Sequence, residues 1–213
     1  MEIPSLTIEA GDVLAVTGVS GSGKSTLLDM LGLVLRPTEA EVFEFHPLGG
    51  RALDVASLWQ ANALDQFTEA RGRHIGYVLQ TGALLPFVNV RENISLSTAL
   101  LGRPSPGWIE ALAGRLGIEE HLNKRPAALS VGQRQRVAIA RALAHRPEVI
   151  IADEPTAALD PETAARIITL MLELAEETGA AMIFASHDWE MVRRLGLRVL
   201  VPEVSGTTSV LRG

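Results

Sequence analysis

Cysteine is absent from the 213 residues, which excludes a disulfide framework and a thiolate zinc site. Aromatic residues make up only 4%, fewer than a protein that stacks on single-stranded nucleic acid usually carries. Basic charge is not in excess either. The formal net charge is −6, which argues against nucleic acid or an anionic membrane surface as the main partner. No apolar stretch approaches the roughly 18–20 residues that a membrane span needs. Met1-Glu2-Ile3-Pro4 is neither basic nor the start of a long apolar run, so no signal peptide is expected. Internal repeats and low-complexity tracts are also missing. What the chain has is 47% hydrophobic residues, enough to bury a sizeable core in one large domain or two small ones.

The most informative stretch is Gly18-Val19-Ser20-Gly21-Ser22-Gly23-Lys24-Ser25-Thr26. It fits G-x-x-x-x-G-K-[ST] and lies between an apolar run, Val13–Val16, and a helical pattern from about Lys24. Its glycines let consecutive N–H groups turn inward as an anion nest, and the helix that follows aims its positive end at the same spot. Lys24 can reach the β- and γ-phosphates of a nucleotide, and the Ser25 hydroxyl can join a magnesium shell, which prefers oxygen. The alternative is a flexible Gly/Ser turn; the flanking strand and helix weigh against it.

Along the chain, Ile3–Glu9 alternates apolar and polar residues and reads as a strand. The first helix should close near Gly32, with Glu41–Phe45 a short strand and Gly49-Gly50 a turn. Asp54–Ala70 is weakly helical, and His74–Gln80 is a buried strand ending in a polar residue. Asn89 to about Arg146 reads as nearly all helical, broken at Pro104–Gly107 and near Arg125-Pro126. After it come a strand at Val149–Ala152, an amphipathic helix at Thr163–Thr178, a strand at Ala181–Ala185 and a short helix at Trp189–Leu195. Terminal strands are expected at Arg198–Val201 and Thr207–Leu211. Strands alternating with helices indicate an α/β fold with a mostly parallel sheet covered on both faces.

Two further constellations carry chemistry. Val149–Ala152 runs into Asp153 and Glu154, and strand ends of this kind face the ligand crevice of an open α/β sheet. Asp153 suits magnesium held through water, and Glu154 suits a base that accepts a proton from an attacking water. A merely solvated strand end is the competing reading. Leu129-Ser130-Val131-Gly132-Gln133 opens another helix; Ser130 and Gln133 fit a capping box, yet a helix start is also a second anion site. One nucleotide rarely needs two such sites, unless the second serves the nucleotide of a partner subunit.

Taken in order, these motifs resemble the ATP-binding subunit of ABC transporters over essentially the whole chain. The set comprises Gly18–Ser25, Gln80, Leu129–Gln133 running into Arg134–Leu143, Asp153-Glu154-Pro155-Thr156, Ala158-Leu159-Asp160 and His187. The resemblance implies a P-loop NTPase with a mostly parallel central sheet, a small antiparallel β edge and a helical signature subdomain. Residues 1–87 and 147–213 would form the core and 88–146 the helical part of a single ATPase domain. It implies a head-to-tail dimer, more readily a homodimer, with ATP between one phosphate loop and the partner's Ser130, Gly132 and Gln133. Gln80 would complete the Mg2+ shell with Ser25 and Asp153. Glu154, His187 and Lys24 would be the catalytic residues, with Asp160 at the subunit boundary as well as capping a helix.

Within the family, Gly76–Gln80 through Leu85-Pro86 to Asn89–Asn93 is similar to the lipoprotein-release and macrolide-export group. That implies a separate integral membrane permease docking near Leu84–Phe87 as an exposed groove, and a lipophilic or peptide substrate. It also implies a place on the cytoplasmic face of the inner or plasma membrane. A non-transport ATPase regulating a membrane complex, as in cell division, is the alternative. Two departures stand out. Val131 replaces the usual glycine and is bulkier beside a phosphate. Upstream of Gly18 there is no Phe, Tyr, Trp or His, so adenine is expected to rest on apolar residues such as Ile3 or Leu6, with looser discrimination between ATP and GTP.

Overall fold

Apolar runs of four or five residues supply the centre of the fold. In the computed structural model, which describes residues 1–205 and 208–212, β1 (Val13–Val16), β4 (Ile75–Val78), β5 (Val149–Asp153) and β6 (Ala181–Ala185) are these runs, and β7 (Arg198–Ser205) and β8 (Thr208–Arg212) complete a six-stranded sheet. Its order is β4-β5-β6-β1-β7-β8. All neighbours are parallel except the antiparallel pair β7 and β8. A separate two-stranded antiparallel sheet joins β2 (Glu44–Phe45) to β3 (Leu53–Asp54).

Side chains along each strand alternate between two cores, as the period of two requires. Met182 and Phe184 of β6, Ile150 of β5 and Ala15 of β1 enter one core with α4 (Val90–Leu100), α5 (Pro106–Arg115), α6 (Val131–Leu143) and α7 (Pro161–Thr178). Ile183, Ile151, Leu14 and Val16 enter the other, against α1 (Lys24–Leu31), α2 (Val55–Gln60) and α3 (Leu64–His74). Burial on both faces explains why these strands are continuously apolar. Each buried side chain of Leu, Ile or Phe size stabilises the fold by about 1.5–3 kcal/mol. Short 3₁₀ turns at Glu119–His121 and Pro126–Ala128 link α5 to α6, and α8 (Trp189–Arg194) leads into β7.

Several expectations change. Ile3–Glu9 is not a strand; Glu2 alone bridges to Val210, through Glu2 N–H to Ser209 O and Leu211 N–H to Glu2 O. The next residue facing that neighbour is Pro4, which has no N–H to donate, so the ladder stops. Leu6 and Ile8 cover the second core from an irregular segment. Asp54–Ala70 divides at Asn62 (φ 53°) into α2 and α3. Pro106, read as part of a break, is instead the first residue of α5, where a missing N–H does no harm. The last strand was expected from Thr207, which lies outside the described residues; β8 begins at Thr208.

Gly32 does end α1, but not in the left-handed conformation common for a terminal glycine. Its φ is −74° and the left-handed residue is Leu33 (φ 56°). A Cβ on Gly32 would lie 2.7 Å from the Tyr77 ring, so Tyr77 and not the turn demands glycine. Tyr77 Oη in turn donates to Asp29 Oδ1 (2.8 Å), tying β4 to α1. Burial, then this bond, push the Tyr77 phenol well above its ordinary value.

Two outcomes follow from the contacts of α6 and β4. A Cβ on Gly76 would lie 2.3 Å from the Ala142 carbonyl oxygen and 2.8 Å from Pro147 Cγ. Gly76→Ala should therefore lower stability by about 2 kcal/mol or more, read by denaturant unfolding. At the end of α6, burial pushes the His145 imidazole below its ordinary 6.5, a shift the Ile75 backbone partly offsets and His74 reinforces. Between that lowered value and 6.5 the unfolded chain binds the extra proton, so stability is lost as pH falls through the window. The melting temperature should drop from about pH 7.5 to about pH 5.5, and drop less in His145→Leu.

Candidate functional site

Strand register brings the expected residues together. Val78 is level with Ala152, so Gln80 and Glu154, each two residues further, leave the sheet side by side. Asp153 is level with Ala185, which puts His187 just beyond Glu154 on the other flank. β1 pairs with β6 up to Val16 and Ala185, so the loop from Thr17 opens at the same edge. Here the strand order reverses around β1, the place where open α/β sheets bind ligands.

Glu154 has a left-handed backbone (φ 47°), uncommon outside glycine and typical of functional sites. Gln80 Nε2 donates to its Oε2 at 3.2 Å. His187 Nε2 contacts its Oε1. Asp153 ends β5 and is half-buried. Ser186, buried at the end of β6, accepts from Asp188 N–H through its Oγ (3.1 Å), and Asp188 caps α8, which fixes the chain on either side of His187.

The loop Gly18–Gly23 has positive φ at Gly18 (154°), Gly21 (79°) and Gly23 (97°). Gly23 is the N-cap of α1 with no side-chain cap, so the first-turn N–H groups of α1 face the loop. Lys24, only 5% exposed, directs Nζ inward to the carbonyls of Gly18 (3.0 Å) and Val19 (3.1 Å). Ser22 Oγ and Thr17 Oγ1 are buried without a partner, which is unusual for a hydroxyl. Ser25 and Thr26 are exposed at the start of the helix. A glycine cradle of N–H groups, a buried ammonium and two unpartnered hydroxyls fit a polyphosphate, and Ser25, Asp153 and Gln80 offer the oxygen set that magnesium prefers.

The segment Ser130–Gln133 is a capping box. Ser130 Oγ accepts from Gln133 N–H (3.2 Å), and Gln133 Oε1 accepts from Ser130 N–H (2.8 Å). Val131 is the first helical residue, 54% exposed, so its Cβ meets no backbone strain. A Cβ on Gly132 would lie 2.8 Å from Leu159 Cδ2. Asp160 caps α7 by accepting from Thr163 N–H (2.9 Å), which holds its carboxyl below the ordinary range. Sequence reasoning did not single out His121, whose Nε2 lies 2.8 Å from Gln133 Nε2; nothing in the spacing marks that contact. Of the two apolar residues expected near the base, Ile3 is exposed while Leu6 is half-buried in the second core.

Leu84, Leu85, Pro86 and Phe87 are not uniformly exposed as expected. Phe87 is 68% exposed, but Leu84 and Leu85 are half-buried, and Leu84 packs against the first core. The cause is Asn93, buried in α4. It accepts from Leu85 N–H (2.8 Å) and donates to the carbonyls of Leu85 (3.1 Å) and Asn89 (3.0 Å), folding the loop down.

The fold and site define a P-loop nucleoside triphosphatase. A family profile described as ABC transporter matches residues 1–157. The lipoprotein-releasing system ATP-binding protein LolD of Idiomarina loihiensis is 40% identical over 195 residues, covering 88% of this chain and 79% of that protein. LolD 1 of Caulobacter vibrioides is 39% identical over 209 residues, 96% of this chain and 85% of that one. Among solved structures, the ATP-binding cassette MJ0796, dimeric in a post-hydrolysis state with ADP and Pi, gives a TM-score of 0.79. It is 34% identical, covering 92% of this chain and 83% of that one. The chain belongs to the ABC transporter family, as one of its ATP-binding and ATP-hydrolysing cassettes.

The buried Ser22 hydroxyl gives a prediction independent of turnover. Ser22→Ala removes a polar atom that no protein group satisfies, so the unliganded protein should melt at the same temperature or slightly higher. Its ATP affinity should fall about tenfold, measured by calorimetric titration.

Proposed function

We propose that the chain drives lipoprotein extraction by a separate membrane permease, as a head-to-tail homodimer that closes on two ATP molecules. The substrate class is supported by the naming of the LolD relatives. The catalytic reading rests on one observation: the Glu154 carboxylate, at the mouth of the phosphate loop's edge of the sheet, is held between Gln80 and His187.

In this reading Lys24 and the N–H groups of residues 18–26 orient the β- and γ-phosphates. Ser25, Gln80 and Asp153 would hold Mg2+, which would neutralise charge on the phosphates. The attacking water's oxygen bonds to the γ-phosphorus as the bond to the ADP oxygen breaks, and the water's proton passes to Glu154. His187 keeps that carboxylate aimed and can hydrogen-bond the γ-phosphate. Ser130, Gly132 and Gln133 of a second copy would close the pocket from the far side, with Asp160 near the boundary. A second helix N-terminus of this kind is otherwise redundant for one nucleotide. The core of residues 1–87 and 147–213 would then move relative to residues 88–146 as the dimer closes. Phe87 and Pro86, both exposed, would be the apolar part of a helix-in-groove contact with the permease, on the cytoplasmic face of the membrane.

Glu154→Gln tests this. Hydrolysis should fall about a hundredfold or more while ATP still binds, and an ATP-dependent dimer should accumulate on gel filtration. Parental turnover in that variant overturns the assignment of the base.

A further inference from the structure

Arg141, on α6, is half-buried, and burial pushes its guanidinium below the ordinary value. Among the described residues no carboxylate pairs with it. Both ends of its fork go to backbone instead: Nη1 donates to Ala83 O and Nη2 to Gly82 O, each at 2.9 Å. A half-buried cation without a counter-ion is costly unless its donors are well matched, and the planar fork matches two successive carbonyls. The loop is shaped to meet it, with positive φ at both Gly82 (72°) and Ala83 (41°). Gly82 lies flat on α6; a Cβ there would stand 3.5 Å from Gln135 Oε1 and 3.6 Å from Ala138 Cβ. Gln135, which is buried, reaches Leu79 O at 3.5 Å.

The clamp brackets Gln80. Leu79 before it and Gly82-Ala83 after it are held by the helix that Ser130 caps, while its side chain reaches across to Glu154. We infer that Arg141 is a positioning residue for hydrolysis: by fixing the Gly82 and Ala83 carbonyls to α6 it sets where Gln80 meets Glu154. This rests on the reading that Gln80 and Glu154 serve the reaction. Arg141 touches neither nucleotide nor reacting water; it acts through Gln80.

A double-mutant cycle on the full chain distinguishes this from a role in folding alone. Arg141→Met should lower kcat about tenfold, as small misplacements near a reacting centre do, with KM for ATP within about twofold because the phosphate loop is untouched. On a Gln80→Ala background the same change should lower kcat by less than about twofold. Equal losses in both backgrounds overturn the inference. So does parental kcat in Gln80→Ala alone. If Arg141→Met does not fold, Arg141→Lys, which keeps the charge and loses the fork, goes through the same cycle under the same criterion. An active Glu154→Gln enzyme would instead remove the catalytic reading beneath the inference, a separate failure.

Discussion

The left-handed turn at Glu154 is the point on which the site depends. A parallel strand that ran on straight would carry this side chain along the sheet edge. Turning the backbone at φ 47° presents the carboxylate to its neighbours on both sides. The register of the two flanking ladders then does the rest, since Gln80 and His187 leave the sheet at matching heights. Such a conformation is unfavourable for a residue with a Cβ. Here it is held by a buried strand behind it and by contacts to both neighbouring strand ends.

That logic extends to the phosphate loop. It begins two residues after the end of β1, between the ladders to β6 and β7, so the cradle and the carboxylate share one rigid sheet. The two cores, one on each face, immobilise the strands that present them. Loops that carry chemistry are precise here because their ends are not free to move.

What the sequence made legible was whatever local spacing determines. The strand at Ala181–Ala185, the cap at Asp160, the capping box at Ser130 and the glycine stop at Gly179 (φ 67°) all lie where local pattern put them. Residues whose partners are distant in the chain were not legible. The position of Gly32 follows from the pattern, but the need for glycine there does not, because the ring that excludes a side chain belongs to Tyr77. Arg141 reads as one of several arginines in a helical run; only the fold shows it meeting Gly82 and Ala83. Ile3–Glu9 had the alternation of a strand, and Pro4 overruled it, since pairing depends on the donor as well as on the apolar face. Leu84 and Leu85 looked like a free apolar patch until Asn93 drew their loop inward.

Where Gly76 meets Ala142, two backbones touch with no side chain between them. Such a contact would act as a fulcrum if α6 moved: sliding along β4 is blocked there, and tilt is the motion left. Val131 lies eleven residues up the helix, about 17 Å away at the usual rise. A tilt of about ten degrees about that point would swing the Ser130 end by about 3 Å, by simple lever geometry on the same rise. Arg141 sits next to the pivot, so its grip on the loop would hardly shift during the swing. One end of the rod would travel while the other kept its grasp on the loop.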